Sequence, residues 1–245
     1  MHRFFAKNFD KRSQSIRITD PSEIHHIKDV LRLSKGHSVM VFDGKGQEAE
    51  CEILKVENTC ITLDVKKFTE SKTRTTPIIL ACALPKKAKF ETIIEKCTEL
   101  GVSEIIPLET KRTEVTLKGE RAQQKLKRYQ TVALNAAKQS QRKTVPVIRP
   151  ITLFKDALNL ITPKDASFIP CLTQTRKSIA HIRNHIANTS GQIIFFIGPE
   201  GDFTKEEVSL AIQKGCLPIS LGPTTLKVDT AAICVVAFAQ FSLLS

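Results

Sequence analysis

Gln192-Ile193-Ile194-Phe195-Phe196-Ile197-Gly198-Pro199-Glu200-Gly201-Asp202-Phe203 decides the fold. Residues 192–197 read as a strand, and its apolar run is the pattern of a strand covered on both faces of a parallel sheet. Gly198-Pro199 breaks the run. Thr204, with Glu207 three residues on, is a capping box that opens a helix over residues 205–214, and Gly215 closes it. A second strand, residues 217–221, ends in the same way at Gly222-Pro223. One such turn merely ends a strand. Two, each leading into a helix, put open backbone side by side at the carboxyl edge of a sheet, where α/β proteins bind ligands. The backbone there can read a flat heterocycle, with apolar contact from Ile197, Leu221 and Leu226.

The surrounding sequence agrees. Residues 78–84, 102–108 and 166–172 read as further strands. Residues 86–100 form an amphipathic helix, with Phe90, Ile93, Ile94, Cys97 and Leu100 on one side. Residues 119–141 form a long helix with basic residues outward. Residues 230–244 form a helix apolar around most of its circumference, which requires burial in a core or against another subunit. Strands alternating with helices give an α/β domain over residues 77–245. Residues 1–70 differ. Ser38–Phe42 and residues 50–56 flank the turn Asp43-Gly44-Lys45-Gly46 as a hairpin, Ile61, Leu63 and Val65 alternate with polar residues, and residues 21–32 read as a helix. That is a small β-barrel with one helix, joined through a polar linker at residues 69–76.

Charge, cysteines and missing motifs narrow the function. The chain of 245 residues has 37 Lys+Arg against 25 Asp+Glu, net +12. Residues 77–150 contribute +8 of this, and 11 basic residues face 2 acidic ones between Lys111 and Arg149. A clustered excess is the footprint of a polyanion partner. Seven cysteines without a CxxC read as reduced thiols of a cytoplasmic protein. His181 and His185 lie one helical turn apart without HExxH, so they read as an exposed face, and no metal is expected. The longest apolar run, residues 231–239, is shorter than the roughly 18 residues of a membrane span. The N-terminus lacks the apolar region of a signal peptide. Gly-x-Gly-x-x-Gly, P-loop and Gly-x-Ser-x-Gly motifs are missing, which removes support for dinucleotide, ATP and serine-hydrolase chemistry.

The chain resembles the RsmE family of the SPOUT superfamily, the 16S rRNA uridine-N3 methyltransferases, nearly end to end. The likeness is carried by Arg3-Phe4-Phe5, His26 with Val30-Leu31-Arg32, Phe42-Asp43-Gly44, Ala83-Leu84-Pro85-Lys86, Thr98-Glu99-Leu100-Gly101-Val102, Arg112-Thr113 and Ala136–Ser140. Ile197-Gly198-Pro199-Glu200-Gly201 and Ser220-Leu221-Gly222-Pro223 are its most specific pieces. Departures are Asp202 in the family's Gly-Gly-Phe, Lys227 and Asp229 in its Arg-x-Glu-Thr-Ala, Lys138 for a usual Glu, and Gln141 for a usual Gly.

The resemblance implies a PUA-like N-terminal barrel for RNA and a C-terminal domain with a deep trefoil knot over about residues 166–245. It also implies S-adenosylmethionine bound in the knot, a homodimer, and 16S rRNA as substrate within the 30S subunit. Cofactor contacts would come from Leu172, Ile197, Gly198, Pro199, Glu200, Gly201, Ile219, Leu221, Gly222, Leu226, Thr230 and Ala231. A bulkier residue at 198 is expected to fill the ligand's space. Glu200 and Asp229 are candidate bases for the N3 proton, although Asp229 reads equally well as a cap on the tail helix. Arg112 and Lys227 can stabilise the uracil anion. Arg3, His26, Arg32, Arg112, Gln139, Arg142 and Lys143 are candidate RNA contacts. A non-catalytic RNA-binding protein and a tRNA-directed relative stand as alternatives.

Overall fold

The computed structural model describes the whole chain except residues 8, 11, 71–75, 87–88, 116, 173–176 and 245, and the side chain of Glu70. Of the linker expected over residues 69–76, Thr69 and Glu70 instead end a β-strand, and residues 71–75 lie outside the described residues. The chain forms two compact units. One is Met1–Thr73 with Ala137–Val145, and the other is Arg74–Ala136 with Pro146–Ser245.

The first unit contains β1 (His2–Phe5), β2 (Ser15–Ile18), α1 (Pro21–His25), β3 (Ser38–Phe42), β4 (Gln47–Val56) and β5 (Ile61–Glu70). Its five-stranded sheet has the order β1-β3-β4-β5-β2, parallel between β1 and β3 and antiparallel elsewhere. Alternate residues such as Val39, Val41, Ile53, Ile61 and Leu63 build its core with Phe4 and Ile27. The expected helix over 21–32 is shorter and changes character. Asp20 caps α1, accepting from the amides of Ser22 (2.9 Å) and Glu23 (3.3 Å). The chain then widens into a π-turn over His26–Val30, closed by the Leu31 amide on the His26 carbonyl at 2.9 Å, and Arg32 leaves it at φ +52°. The segment Ala137–Val145 docks on the β3–β4 turn. The Val145 amide donates to Gly44 O (2.9 Å) and the Gly46 amide to Lys143 O (3.1 Å).

The second unit runs β6 (Ile78–Ala83), α2 (Phe90–Glu99), β7 (Glu104–Glu109), α3 (Gly119–Gln139, whose last turn belongs to the first unit), β8 (Val147–Ile148), β9 (Thr152–Leu153) and α4 (Phe154–Ala157). It continues through β10 (Ala166–Pro170), β11 (Lys177–Ser178), α5 (Arg183–Ala187), β12 (Ile193–Ile197), α6 (Lys205–Gln213), β13 (Leu217–Ser220) and α7 (Val228–Leu243). The sheet is parallel throughout, in the order β11-β13-β10-β12-β6-β7-β8, with β9 also on β7. Every residue of β6 and β12 is buried, which is why both are unbroken apolar runs. The capping box at Thr204 and Glu207 is formed. Helix α7 buries Ala231, Ala232, Val235, Val236 and Ala239, packing on α2 and β6, and leaves Phe241 exposed, as is Leu244 just after its end. His181 and His185 are both exposed. No helix among the described residues is long and apolar enough to cross a membrane.

Candidate active site

The loops after β10, β12 and β13, with the start of α7, enclose a pocket of about 370 Å³ at the carboxyl edge of the sheet. Strands β10 and β13 are direct neighbours, as are β10 and β12, so the two Gly-Pro turns flank the end of β10. Leu172, Ile197, Gly198, Pro199, Glu200, Ile219, Leu221, Gly222, Leu226 and Ala231 line the pocket, whereas Gly201 and Thr230 do not. Sequence reasoning missed Pro170, Cys171, Asp202, Ser220, Pro223, Thr224, Thr225 and Val228 in the lining. Pro170, Ser220 and Val228 are the ends of β10, β13 and α7, and the others sit in the loops beside the residues already named.

The two glycines of the turns differ. Gly222 has φ +133° and open space where a Cβ would stand, so its backbone conformation is what requires glycine. Gly198 has an ordinary φ. A Cβ there would come within 3.1 Å of the Phe203 ring and 3.3 Å of the Phe203 amide. Its bareness serves the packing of Phe203, at a residue that also lines the pocket.

Charged groups surround the pocket. Glu200 is exposed, and its Oε1 accepts the Lys86 amide at 3.0 Å, tying the loop after β12 to the loop after β6. Arg112, in the loop after β7, donates to the Gly201 carbonyl at 2.6 Å. Lys227 is exposed and lines the pocket as the residue preceding α7. Asp229 sits in the first turn of α7 and pairs with Lys89 at 3.2 Å. Burial alone would raise its pKa. The hydrogen bond and charge of Lys89, with the amides of Asp229 and Thr230, outweigh that and hold it below the ordinary carboxylate value. The position capping α7 is Lys227, so Asp229 is an acidic residue of the first turn that faces a lysine, not the cap itself. Beneath these groups, the Cys82 thiol is pushed well up by burial first, then by Cys97, Glu200 and Asp229, so it is no thiolate nucleophile.

Two departures from the family pattern have one physical feature in common. Asp202 and Gln141 stand where the resemblance leads one to expect glycine, and both have left-handed backbone, φ +60° and +58°. Asp202 also uses its side chain. Oδ1 accepts the Phe203 amide (2.8 Å) and Oδ2 the Leu172 amide (3.1 Å).

The candidate RNA residues of the first unit are not a row of idle cations. Arg3 pairs with Glu48, donates to the Arg142 carbonyl at 2.8 Å, and stacks on Phe42 at 4.4 Å. Lys143 meets the other oxygen of Glu48 at 2.7 Å. Arg142 donates to Thr144 at 3.1 Å, and burial pushes its pKa down to about 10. Arg3 and Lys143 thus converge on Glu48, a carboxylate the sequence did not mark, and Arg3 ties in the Arg142 backbone. His26 lies edge-on to Phe4 at 5.8 Å, while Arg32 and Gln139 are exposed. Lys138 pairs with buried Glu23 at 2.6 Å.

Residues 72–240 match the RNA methyltransferase domain family, and residues 18–65 match the RNA methyltransferase PUA domain. The class is therefore that of two-part RNA methyltransferases. Ribosomal RNA small subunit methyltransferase E of Synechocystis is 34% identical over 91% of this chain and 71% of its own length. The Bacillus subtilis protein of the same name is 30% identical over 95% of this chain and 93% of its own. The crystal structure of the Neisseria gonorrhoeae protein of that name, bound to S-adenosyl methionine, superimposes with a TM-score of 0.87 at 26% identity, covering 98% of this chain and 97% of that one. The chain belongs to the ribosomal RNA small subunit methyltransferase E family.

Proposed function

We propose that this chain transfers a methyl group from S-adenosylmethionine to N3 of a uridine in 16S rRNA. The observation that carries the reading is the pocket between the two Gly-Pro turns and the loop after β10. It fits the cofactor on its own terms. Its volume of about 370 Å³ lies in the range of small-molecule sites, roughly 300–1,000 Å³. Gly222 leaves backbone open to a ligand, and Glu200 brings a carboxylate to a cofactor that is cationic at its sulfonium and amino groups. When bound, the cofactor supplies an electrophilic methyl group.

The protein's task is then to position the uracil and manage its N3 proton. Orientation of reactants is worth up to roughly 7–11 kcal/mol, against about 10²–10⁴-fold for a general base. Arg112 and Lys227 are assigned to the uracil oxygens as negative charge grows there. Glu200 is the stronger candidate base, since it is exposed with an oxygen beyond the one bonded to Lys86. Asp229, held low by Lys89, is a weaker proton acceptor. Arg32, Gln139 and His26 are assigned to RNA contact, with Arg3 and Lys143 shaping the surface through Glu48 and Arg142 beside them.

The wider reading is a barrel-like PUA domain for RNA, a trefoil knot over about residues 166–245, and a homodimer through the exposed apolar face of α7. The setting is the cytoplasm, with the assembled 30S subunit as substrate. Labelled S-adenosylmethionine tests it. The chain should methylate 30S subunits lacking the modification faster than naked 16S rRNA or tRNA, and nucleoside analysis should give 3-methyluridine. Another nucleoside, or equal rates on tRNA, would refute the substrate assignment.

A further inference from the structure

Asp202 occupies a position that glycine would occupy more easily. Its φ of +60° is left-handed, a region glycine enters without steric cost and other residues rarely adopt. Its amide donates to the Pro199 carbonyl at 2.9 Å and closes the turn after β12, a bond that a glycine would keep. What a glycine would lack is the carboxylate. One oxygen takes the Phe203 amide within the same turn, at 2.8 Å. The other crosses to the Leu172 amide, 30 residues away in sequence, at 3.1 Å. Leu172 lies in the loop after β10 and is 62% exposed, so burial of its own side chain does little to hold it. Both Leu172 and Asp202 line the pocket.

We infer that Asp202 is a positioning residue for S-adenosylmethionine, its carboxylate tying the loop after β10 to the turn after β12 and fixing the pocket wall at Leu172. This rests on the cofactor reading above. A bond from an ionised acceptor to a backbone amide is among the stronger hydrogen bonds, and losing it lets the wall move away before the ligand arrives. The protein fold does not depend on the tie, because β10 and β12 are already paired along the sheet from Ala166↔Ile193 to Phe168↔Phe195.

Three chains test this by calorimetric titration with S-adenosylmethionine: the unaltered protein, Asp202→Gly and Asp202→Asn. Asp202→Gly relieves the backbone and removes both side-chain bonds. Its ligand-free melting temperature should be equal or higher, while its Kd rises roughly tenfold, about 1.4 kcal/mol. KM for the cofactor should rise in step with kcat little changed. Asp202→Asn keeps a carbonyl acceptor and tolerates the left-handed backbone, so its affinity should lie between the two. Unchanged affinity in Asp202→Gly would overturn the inference. So would an affinity loss matched by a fall in ligand-free stability, which marks a structural role alone. If the unaltered protein binds no S-adenosylmethionine, the functional reading falls first and takes this inference with it.

Discussion

Gly198→Ala should damage the fold of the second unit before it damages the pocket. A Cβ at this position would stand 3.1 Å from Cδ2 and Cε2 of Phe203 and 3.3 Å from its amide nitrogen, closer than ordinary carbon contact. The ring has little room to retreat. Phe203 is 4% exposed and packs on Phe154 with centroids 4.8 Å apart, and Phe154 packs in turn on Phe196 at 5.8 Å. Overpacking of this kind costs about 1–3 kcal/mol. At roughly 2–4 °C per kcal/mol for a unit of this size, a cost near 2 kcal/mol lowers the melting temperature by about 4–8 °C. Scanning calorimetry on the ligand-free protein reads this directly. In a Phe203→Leu background the ring is gone, so adding Gly198→Ala should cost less, with a coupling above the roughly 0.5 kcal/mol of independent sites. A Gly198→Ala protein with unchanged melting temperature and lost cofactor affinity would refute the reasoning, because the added methyl would then face the ligand and not Phe203.

Other measurements follow from the charges and thiols. Glu48→Gln leaves Arg3 and Lys143 without their shared carboxylate and should cost about 2–3 kcal/mol in urea unfolding, below the full ~3–5 kcal/mol of a broken buried pair because Lys143 is partly exposed. Amide exchange at Gly46, which donates to Lys143 O, should quicken with it. Asp229 has a depressed pKa in the folded chain, so its contribution is complete above its unfolded value and disappears as pH falls through the lowered folded one. Lys89→Met should therefore raise the Asp229 pKa in a carboxyl NMR titration and shift acid unfolding to higher pH. Thiol labelling at pH 8 should find one fast cysteine, Cys234, since the other six are buried and burial pushes Cys51 and Cys216 up to about 12. Its rate should fall as protein concentration rises if α7 pairs with a second copy, and a second fast thiol would contradict the burial of the rest.

The second unit was legible because its signals are local and redundant. Residues 193–197 and 78–83 are apolar without interruption, and Thr204 with Glu207 states a helix start in two side chains. The first unit was harder. Strands β1 and β2 have four residues each, with Arg3 and Arg17 inside them, too short for alternation to stand out. Strands β8, β9 and β11 have two residues each and exist only through their neighbours. The π-turn at His26–Val30 breaks a pattern that still looks helical at i, i+3 and i+4. Residues 137–145 follow on from a helix of the second unit in sequence yet group with the first, through hydrogen bonds from the Val145 amide to Gly44 O and from the Gly46 amide to Lys143 O that no composition reveals. At the site, the Gly-Pro turns could be read because glycine and proline carry backbone information. Asp202 was legible only as a tolerated turn residue, because its bond to Leu172 joins positions 30 apart.

The basic excess shows why a charge count and a binding surface are different quantities. Of the 11 basic residues between Lys111 and Arg149, Lys125 and Arg128 face Glu91, Lys138 meets Glu23, Lys143 meets Glu48, and Arg149 meets Glu104. Lys111, Arg112, Lys118, Arg121 and Lys127 make no ion pair among the described residues. These five can meet phosphates without first giving up a carboxylate. A paired cation has to exchange one partner for another, and an exposed pair is worth only about 0–1 kcal/mol, so Arg128 and Arg149 can still swing to RNA at little cost. Lys138 and Lys143 cannot, because their partners Glu23 and Glu48 are buried and would be left charged and alone. The net +12 still acts as a whole on an approaching polyanion, within a screening length of about 8–10 Å. Long-range attraction to RNA therefore follows the full sequence charge, whereas close contact is confined to those cations that the fold leaves able to move.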